Sequence, residues 1–484
     1  MAARHWKRAS RAARVVSPRQ GILAIRSLPF PGCIVSLFTL VLEMGLAMGL
    51  ESTHQAVPHL TTALTGPLLA IEERLLQRQT EIEQWFHEGW LATPAPFYAS
   101  VDLRNAGFKL APVDTNLFPA GFNNLNPMFH PLCVQALQAA VERLCPRASR
   151  ILLVPENHTR NTFYWDNMGA LVMLLERAGY RVRIGSWLPG EAAHQLITLA
   201  NGRTIQLEPI VRTQNRVGVE NFNPCFVLLN NDLSAGPPDI LQGLEQPVVP
   251  PLALGWWNRL KSGHFAQYQR LAQEFGELME IDPWFIDPVF RHCGEIDFHK
   301  REGEECLADK VEEVLQIIRN KYRQHGITQE PFVIVKANAG TYGMGVMTVR
   351  DAAEVRHLNR KQRNKMAVIK EGQVVQEVLV QEGVYTFETF GPDQAVAEPV
   401  IYMVDRFVVG GFYRVHNSRG IDENLNAPGM ELRSLAFAES CTNPDDNQSP
   451  DASPNRFYAY GVIGRLALLA AARELHDTPR VPTS

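Results

Sequence analysis

The stretch that most constrains this chain is Phe332 to Val349, FVIVKANAGTYGMGVMTV. An apolar, β-branched run leads into Lys336. A loop follows with Gly340, Thr341, Tyr342, Gly343, Met344 and Gly345, and a second β-like run begins at Val346. Two such runs around a glycine loop predict a strand–flap–strand unit rather than a strand-to-helix turn. Backbone N–H groups in such a loop can cradle phosphate oxygens, and Lys336 at the strand end adds a point charge for the same anion. The loop is not a P-loop, which needs Lys-Ser/Thr straight after the last glycine. Nor is it a dinucleotide fingerprint, which needs G-x-G-x-x-G before a helix. Taken alone it reads equally as a plain glycine-rich hairpin. Further on, Val374 to Leu379 (VVQEVL) predicts another strand, with Gln376, Glu377 and Val378 where polar residues interrupt the apolar run.

With 484 residues the chain has room for two or three domains. Its net charge of −4 gives no bias towards nucleic acid. Seven scattered cysteines, without a C-x-x-C pair, read against a disulfide framework or zinc site and for a reducing, cytoplasmic compartment. Residues 1 to 27 hold seven Lys/Arg, the first acidic residue is Glu43, and Glu43 interrupts the apolar stretch Cys33 to Leu50. A basic region before an apolar one can be a signal or anchor. The interruption and the length of the basic part favour a poorly ordered extension over 1–47, or a misassigned start with Met44 or Met48 as the natural beginning, and no stable membrane association.

Along the chain, Thr62 to Trp90 has helical apolar spacing. Phe97 to Asn126 sets strand-like pieces among Asp102, Arg104, Asn105, Lys109, Asp114, Asn116 and Asn123. That density suits either a turn-rich loop or a site for a zwitterion, with Arg and Lys for carboxylates and Asp for an ammonium. Arg150 to Val154, a helix over Trp165 to Ala178 and Tyr180 to Ile184 read as a strand–helix–strand unit. Such a unit implies a parallel sheet with Glu156, His158, Arg160 and Asn161 at a carboxyl end, where ligands sit. Ile197 to Ile210 reads as a hairpin around Asn201-Gly202, Cys225 to Leu229 as a buried strand, and the Pro-rich 236–251 as a boundary. Helices are expected up to Met279 and over Lys310–His325, Asp351–Lys365 and Ala459–Leu475. Glu398 to Met403 and Phe407 to Val415 read as paired strands. Residues 442–455 read as a loop. Asp422, Glu423, Asn424 and Asn426 are hard oxygen donors of the kind Mg²⁺ accepts beside phosphates, or else a solvated acidic turn.

Together FYASVDLRNAGFKLAPVDTNLFPAGFNNL, PENHTRNTFYW, VKANAGTYGMGV, VVQEV and EPVIYMVDRFVVGGFYRVHNSRGIDENLNAPG resemble the proteobacterial glutamate–cysteine ligase family of the iron-oxidiser type, over roughly residues 48 to 475. That family is similar to the ATP-grasp fold of prokaryotic glutathione synthetase. The resemblance implies an α/β (α+β) fold with an N-terminal parallel α/β substrate domain over 48–245. A C-terminal ATP-binding domain of antiparallel sheets plus helices follows over 246–475, with a tail over 476–484. Lys336 matches the lysine before the flap, and residues 340–345 the flap that closes over the phosphates of ATP. Lys261 resembles the earlier ATP lysine, and Gln376, Glu377 and Val378 the adenine hinge. Arg414 and the segment 419–429 resemble the loop that faces the transferred phosphate. The superfamily's late Glu-x-Asn metal signature does not occur after Gly429, which leaves Glu398, Glu423 and Asn426 as the candidate Mg²⁺ ligands.

The implied reaction joins the γ-carboxylate of glutamate to the amine of cysteine with ATP and Mg²⁺. It is the first step of glutathione biosynthesis and needs no covalent nucleophile on the protein. Glutamate and cysteine would be the partners, and the oligomeric state is left open. Another carboxylate–amine ligase of the same fold, or a non-catalytic nucleotide-binding protein, are the competing readings.

Overall fold

The computed structural model describes residues 67–157, 161–340, 345–368, 374–434 and 456–477, all within one compact unit that begins at Gln55. The expectations for 1–47 and 442–455 lie outside the described residues. Helices α1 (Pro67–Gln77) and α2 (Gln79–Ala92) take the place of the single helix expected over 62–90. Arg78 leaves helical geometry between them, and its guanidinium bonds Leu278 O at 2.5 Å and Glu81 at 2.9 Å. Leu68, Ile71 and Leu75, then Ile82, Phe86 and Trp90, still form the buried faces. β1 (Tyr98–Asn105) and β2 (Leu110–Asn116) pair as an antiparallel hairpin, so the polar-rich segment is sheet rather than loop.

Next come α3 (His130–Leu144), β3 (Arg150–Pro155), α4 (Thr162–Arg177) and β4 (Arg181–Ser186), with β3 and β4 parallel as the strand–helix–strand pattern requires. β5 (Gln195–Thr198) and β6 (Thr204–Pro209) form the expected hairpin, and β7 (Val211–Thr213) and β8 (Arg216–Gly218) a small separate one. β9 (Phe226–Asn230) and β10 (Val248–Val249) complete a sheet of order β10–β9–β3–β4–β6–β5, in which only the β5–β6 pair is antiparallel.

α5 (Lys261–Met279), β11 (Phe290–Cys293) and α6 (Glu304–His325) lead to β12 (Val333–Ala337) and β13 (Val346–Val349). β12 and β13 pair antiparallel with Lys336 opposite Val346, the flap hairpin that the glycine spacing predicts. Gly340 and Gly345 take φ of +94° and +61°, a region that favours glycine. The helix expected over 351–365 is split into α7 (Ala352–Arg356) and α8 (Arg360–Ala367), because Asn359 and Gln362 start a new helix with a capping box. β14 (Val378–Glu382) begins four residues later than the strand expected at Val374, whose only pairing is an isolated bridge to Val368. These strands form an antiparallel sheet of order β11–β14–β12–β13.

β15 (Glu388–Phe390), β16 (Ala395–Val404), β17 (Phe407–His416) and β18 (Glu431–Ser434) precede the last helix, α9 (Arg456–Asp477). The third sheet, order β18–β17–β16–β1–β2 with β15 on β16, is antiparallel throughout and joins strands from far ends of the chain. α9 packs on β1, β2 and α5 and buries Ile463, Leu466, Leu468 and Leu469. Each such side chain contributes about 1.5–3 kcal/mol on burial, which accounts for its apolar sequence. No helix among the described residues is long and apolar enough to cross a membrane. The result is a mixed α/β fold with a parallel α/β layer and two large antiparallel sheets beside the small β7–β8 hairpin, in keeping with the expected fold class.

Candidate active site

A cavity of about 110 Å³ lies between the β12–β14 face and the β1–β2–β16–β17 face. In a strand, alternate residues share a face, and this selects the pairs that β1 and β12 bring to the lining. β1 contributes Asp102 and Arg104, β12 contributes Ile334 and Lys336, and β14 contributes Gln381 and Glu382. Glu398 of β16 and Arg414 of β17 are register partners. Asp114 of β2 stands opposite Asp102. A register shift between Asp102 and Leu103 leaves Val113 out of the pairing, and the Val113 carbonyl accepts from Lys336 Nζ at 2.6 Å. The 417–430 loop adds Asn424 and Asn426.

The charges form two connected groups. Arg104 Nε donates to Glu398 Oε2 at 3.0 Å, Arg414 Nη1 donates to Glu398 Oε1, and the same Nη1 lies 3.1 Å from Asp102 Oδ2. Burial would raise the Glu398 carboxyl, but Arg104 and Arg414 outweigh it and hold it below its ordinary value. Burial raises Asp102, against the pull of Arg414. In the second group Lys261 Nζ bonds Asp114 at 2.8 Å and lies 4.2 Å from the Trp256 ring centroid. Burial opposes ionisation of Asp114 too, and Lys261 and Lys336 overcome it, so its carboxyl sits well below the usual range. Lys336 Nζ donates to Gln381 Oε1 at 2.8 Å. Burial pushes its ammonium down to about 7, with Asp114 opposing.

This set of donors fits a polyanion with a divalent cation. Gln381 Nε2 and Arg414 Nε are buried and have no hydrogen-bond partner among the described residues, an arrangement that costs about 1–3 kcal/mol for each orphaned group unless a ligand satisfies it. Together with Lys336, both residues line the same small cavity. Asp102, Asp114, Glu398 and the two Asn amides supply hard oxygens. No cluster of three or more His, Cys, Asp or Glu able to hold a metal occurs among the described residues. A Mg²⁺ ion here would therefore depend on ligand oxygens and water for much of its shell, which is its usual habit.

Of the residues singled out in the sequence, Asp102, Arg104, Asp114, Lys336, Glu398, Arg414, Asn424 and Asn426 line the cavity, and Lys261 bonds Asp114. Asn105 sits on the opposite face of β1 and bonds Glu388 and Tyr460 OH at 3.2 and 3.1 Å. Lys109 is buried against Glu382 at 2.7 Å, with the Trp284 ring centroid at 4.2 Å. Asn116 accepts locally from Phe118 N, and Asn123 is exposed in the short 3₁₀ helix Phe122–Asn124. Glu156 accepts from Asp232 N at 3.0 Å and Asn161 caps α4, both at the parallel sheet and outside the cavity lining. Glu423 turns to Gly420 N and Arg419, at 2.7 and 2.8 Å, and presents only its carbonyl to Arg104. Glu377 bonds Asn338 at 2.9 Å and His292 at 3.1 Å, Gln376 is exposed, and Val378 opens β14. His158, Arg160, Thr341, Tyr342, Gly343 and Met344 lie outside the described residues.

Sequence reasoning missed Gln381, Glu382 and Val384. The signal was present: the segment 374–382 has two Gln-Glu pairs, and only the second ends an unbroken run of three apolar residues, Val378-Leu379-Val380. The first pair precedes that strand.

A sequence profile of the glutamate-cysteine ligase family matches residues 72–475. The crystal structure of a candidate gamma-glutamylcysteine synthetase from Methylobacillus flagellatus KT is similar at 63% identity and a TM-score of 0.81, covering 87% of this chain and 99% of that one. D-cycloserine synthetase (13% identity, TM-score 0.34, 68% of this chain and 83% of that one) and D-alanyl-alanine synthetase A of Vibrio cholerae (10% identity, TM-score 0.30, 66% and 81%) are too remote to bear on the argument. No match is found among curated protein sequences.

Proposed function

The chain belongs to the glutamate-cysteine ligase family, and from that premise we propose how this cavity serves the synthesis of γ-glutamylcysteine. A carboxylate is a poor electrophile. ATP, with Mg²⁺, supplies the phosphoryl group that converts the γ-carboxylate of glutamate into an acyl phosphate, and the amine of cysteine displaces phosphate to form the amide. The protein's part is to orient the reactants and to stabilise the charge that develops. Lys336, Gln381 Nε2 and Arg414 bind phosphate oxygens, and Lys261 steadies Asp114 beside them. Glu398, Asp102, Asp114, Asn424 and Asn426 are the oxygen donors available to the cation. By resemblance to its family, the glycine-rich segment after Lys336 takes the role of shielding the acyl phosphate from water. Segment 246–475 carries most nucleotide contacts, and the amino acids are met chiefly by residues from 48–245. The described cysteines are free thiols, which suits the cytoplasm.

The observation that carries this assignment of roles is the juxtaposition of Lys336 with the orphaned Gln381 and Arg414 donors. The test is ADP release with ATP, Mg²⁺ and glutamate, with and without cysteine. We expect release that needs both amino acids, together with a γ-linked dipeptide. Release supported by other amines but not cysteine would change the acceptor, and ATP binding without release would overturn catalysis.

A proton balance follows from the same site. Lys336 titrates near 7 when free, so at pH 8 it is largely neutral. Phosphate beside it restores the ammonium, so nucleotide binding takes up close to one proton at pH 8 and little at pH 6. Calorimetry in buffers of different ionisation enthalpy reads this directly. Equal uptake in a Lys336→Met variant would assign the proton to another group.

A further inference from the structure

Two cysteines stand together outside the cavity. Cys293 ends β11 and is 2% exposed, Cys306 lies in the first turn of α6 and is exposed, and their sulfurs are 3.3 Å apart. The chain between them is a closed loop rather than a slack one. Asp297 and Glu302 exchange two backbone hydrogen bonds, N to O at 3.0 and 3.1 Å. Gly303, at φ +80°, lets the start of α6 pack on Glu295, where a Cβ would meet the Glu295 carbonyl oxygen at 2.8 Å. β11 is itself fixed by pairing Cys293 with Val378 of β14. Both ends of the loop are therefore held, and the sulfurs need to approach by only about 1.3 Å to reach a disulfide bond length.

We propose that Cys306 and Cys293 are a thiol–disulfide exchange site that takes a low-molecular-weight disulfide, RSSR. The Cys306 thiolate attacks one sulfur of RSSR, giving Cys306–S–SR and releasing RS⁻. Cys293 then gives up its proton to the departing sulfur as it attacks Cys306 Sγ, forms the Cys293–Cys306 bond and releases the second RSH. The two protein thiols together give up two electrons and two protons, and RSSR leaves as two RSH. Exposure makes Cys306 the first sulfur to react, since Cys293 is enclosed and burial pushes its thiol up to about 12. The held geometry favours the second step over exchange with another small molecule.

The test treats the full-length protein with oxidised glutathione at pH 8, alkylates remaining thiols and maps tryptic peptides. Trypsin cuts after Lys300 and Arg301, so the linked pair appears as two joined peptides. We expect that link in the parent protein, with both cysteines protected from alkylation. Cys306→Ser should leave Cys293 fully alkylated, and Cys293→Ser should retain glutathione on Cys306. Glutathione persisting on Cys306 of the parent with Cys293 alkylated, or no reaction at Cys306, would overturn the proposal. Because Cys306 is exposed, its variant carries the test even if Cys293→Ser folds poorly. Peptide mapping reads no ligase activity, so the result stands apart from the assignment of the cavity.

Discussion

Replacing Lys336 by methionine should lower ADP release by about 10²–10³-fold, the usual loss when one preorganised donor to a developing charge is removed. The substitution keeps the length of the side chain and removes the charge. It should do little to the fold, and the reason is the site's own electrostatics. The folded-state pKa of Lys336, about 7, lies below the unfolded value of about 10.4. Between those values the unfolded chain holds the proton and the folded chain does not, so this group makes stability rise with pH and penalises the fold at neutral pH. Methionine removes that penalty. Against it, Val113 O and Gln381 Oε1 lose their donor. The two effects oppose, so thermal unfolding should move by only a few degrees while turnover collapses. Turnover at the parental rate would take Lys336 out of the phosphate site.

Lys109→Met should do the reverse, costing stability by about 3–5 kcal/mol, the range for removing one partner of a buried ion pair. Lys109 and Glu382 are each 1% exposed as side chains. Without Lys109, Glu382 keeps Trp284 Nε1 at 3.1 Å and Val289 N at 3.2 Å, but no opposing charge at contact distance among the described residues. Burial already raises the Glu382 carboxyl, with Lys109 opposing. In the variant its folded pKa rises further above the unfolded value of about 4.3. The deficit is therefore small below that value, grows as pH rises from there towards the folded pKa, and levels off above it. Urea unfolding at pH 7 and near pH 4 should show the gap narrowing in acid. A variant as stable as the parent at pH 7 would mean that the pair adds nothing.

These two lysines also show what the sequence could and could not tell. Lys336 follows a β-branched run and precedes glycines, so local spacing was enough to place it at a strand end. Lys109 stood in an equally polar segment, and its direction depends on a partner far along the chain. Asp102, Arg104 and Asn105 make the same point. Alternation separates Asn105 from the other two, but which face meets a cavity depends on packing against α9 and β16. The register shift that frees Val113 has no mark in the sequence. The adenine-hinge segment was legible in kind but not in position, because two Gln-Glu pairs compete and the choice rests on which apolar run is unbroken.

The antiparallel sheet that closes the cavity pairs the chain's first strand with one of its last. Arg104 and Glu398 are 294 residues apart in sequence, and Asp102 and Arg414 are 312 apart. At about 5–20 residues per second, a ribosome needs roughly 15–60 s to make the second half of each pair after the first. During that time β1 lacks its neighbour β16, and Asp102 and Arg104 lack the Arg414 and Glu398 partners they have in the finished site. Contacts of such long separation are entropically slow to close. Activity is therefore all or nothing along the length of the message. A product truncated before β16 has an open sheet edge next to β1 and is a substrate for chaperones and proteases rather than a weak enzyme.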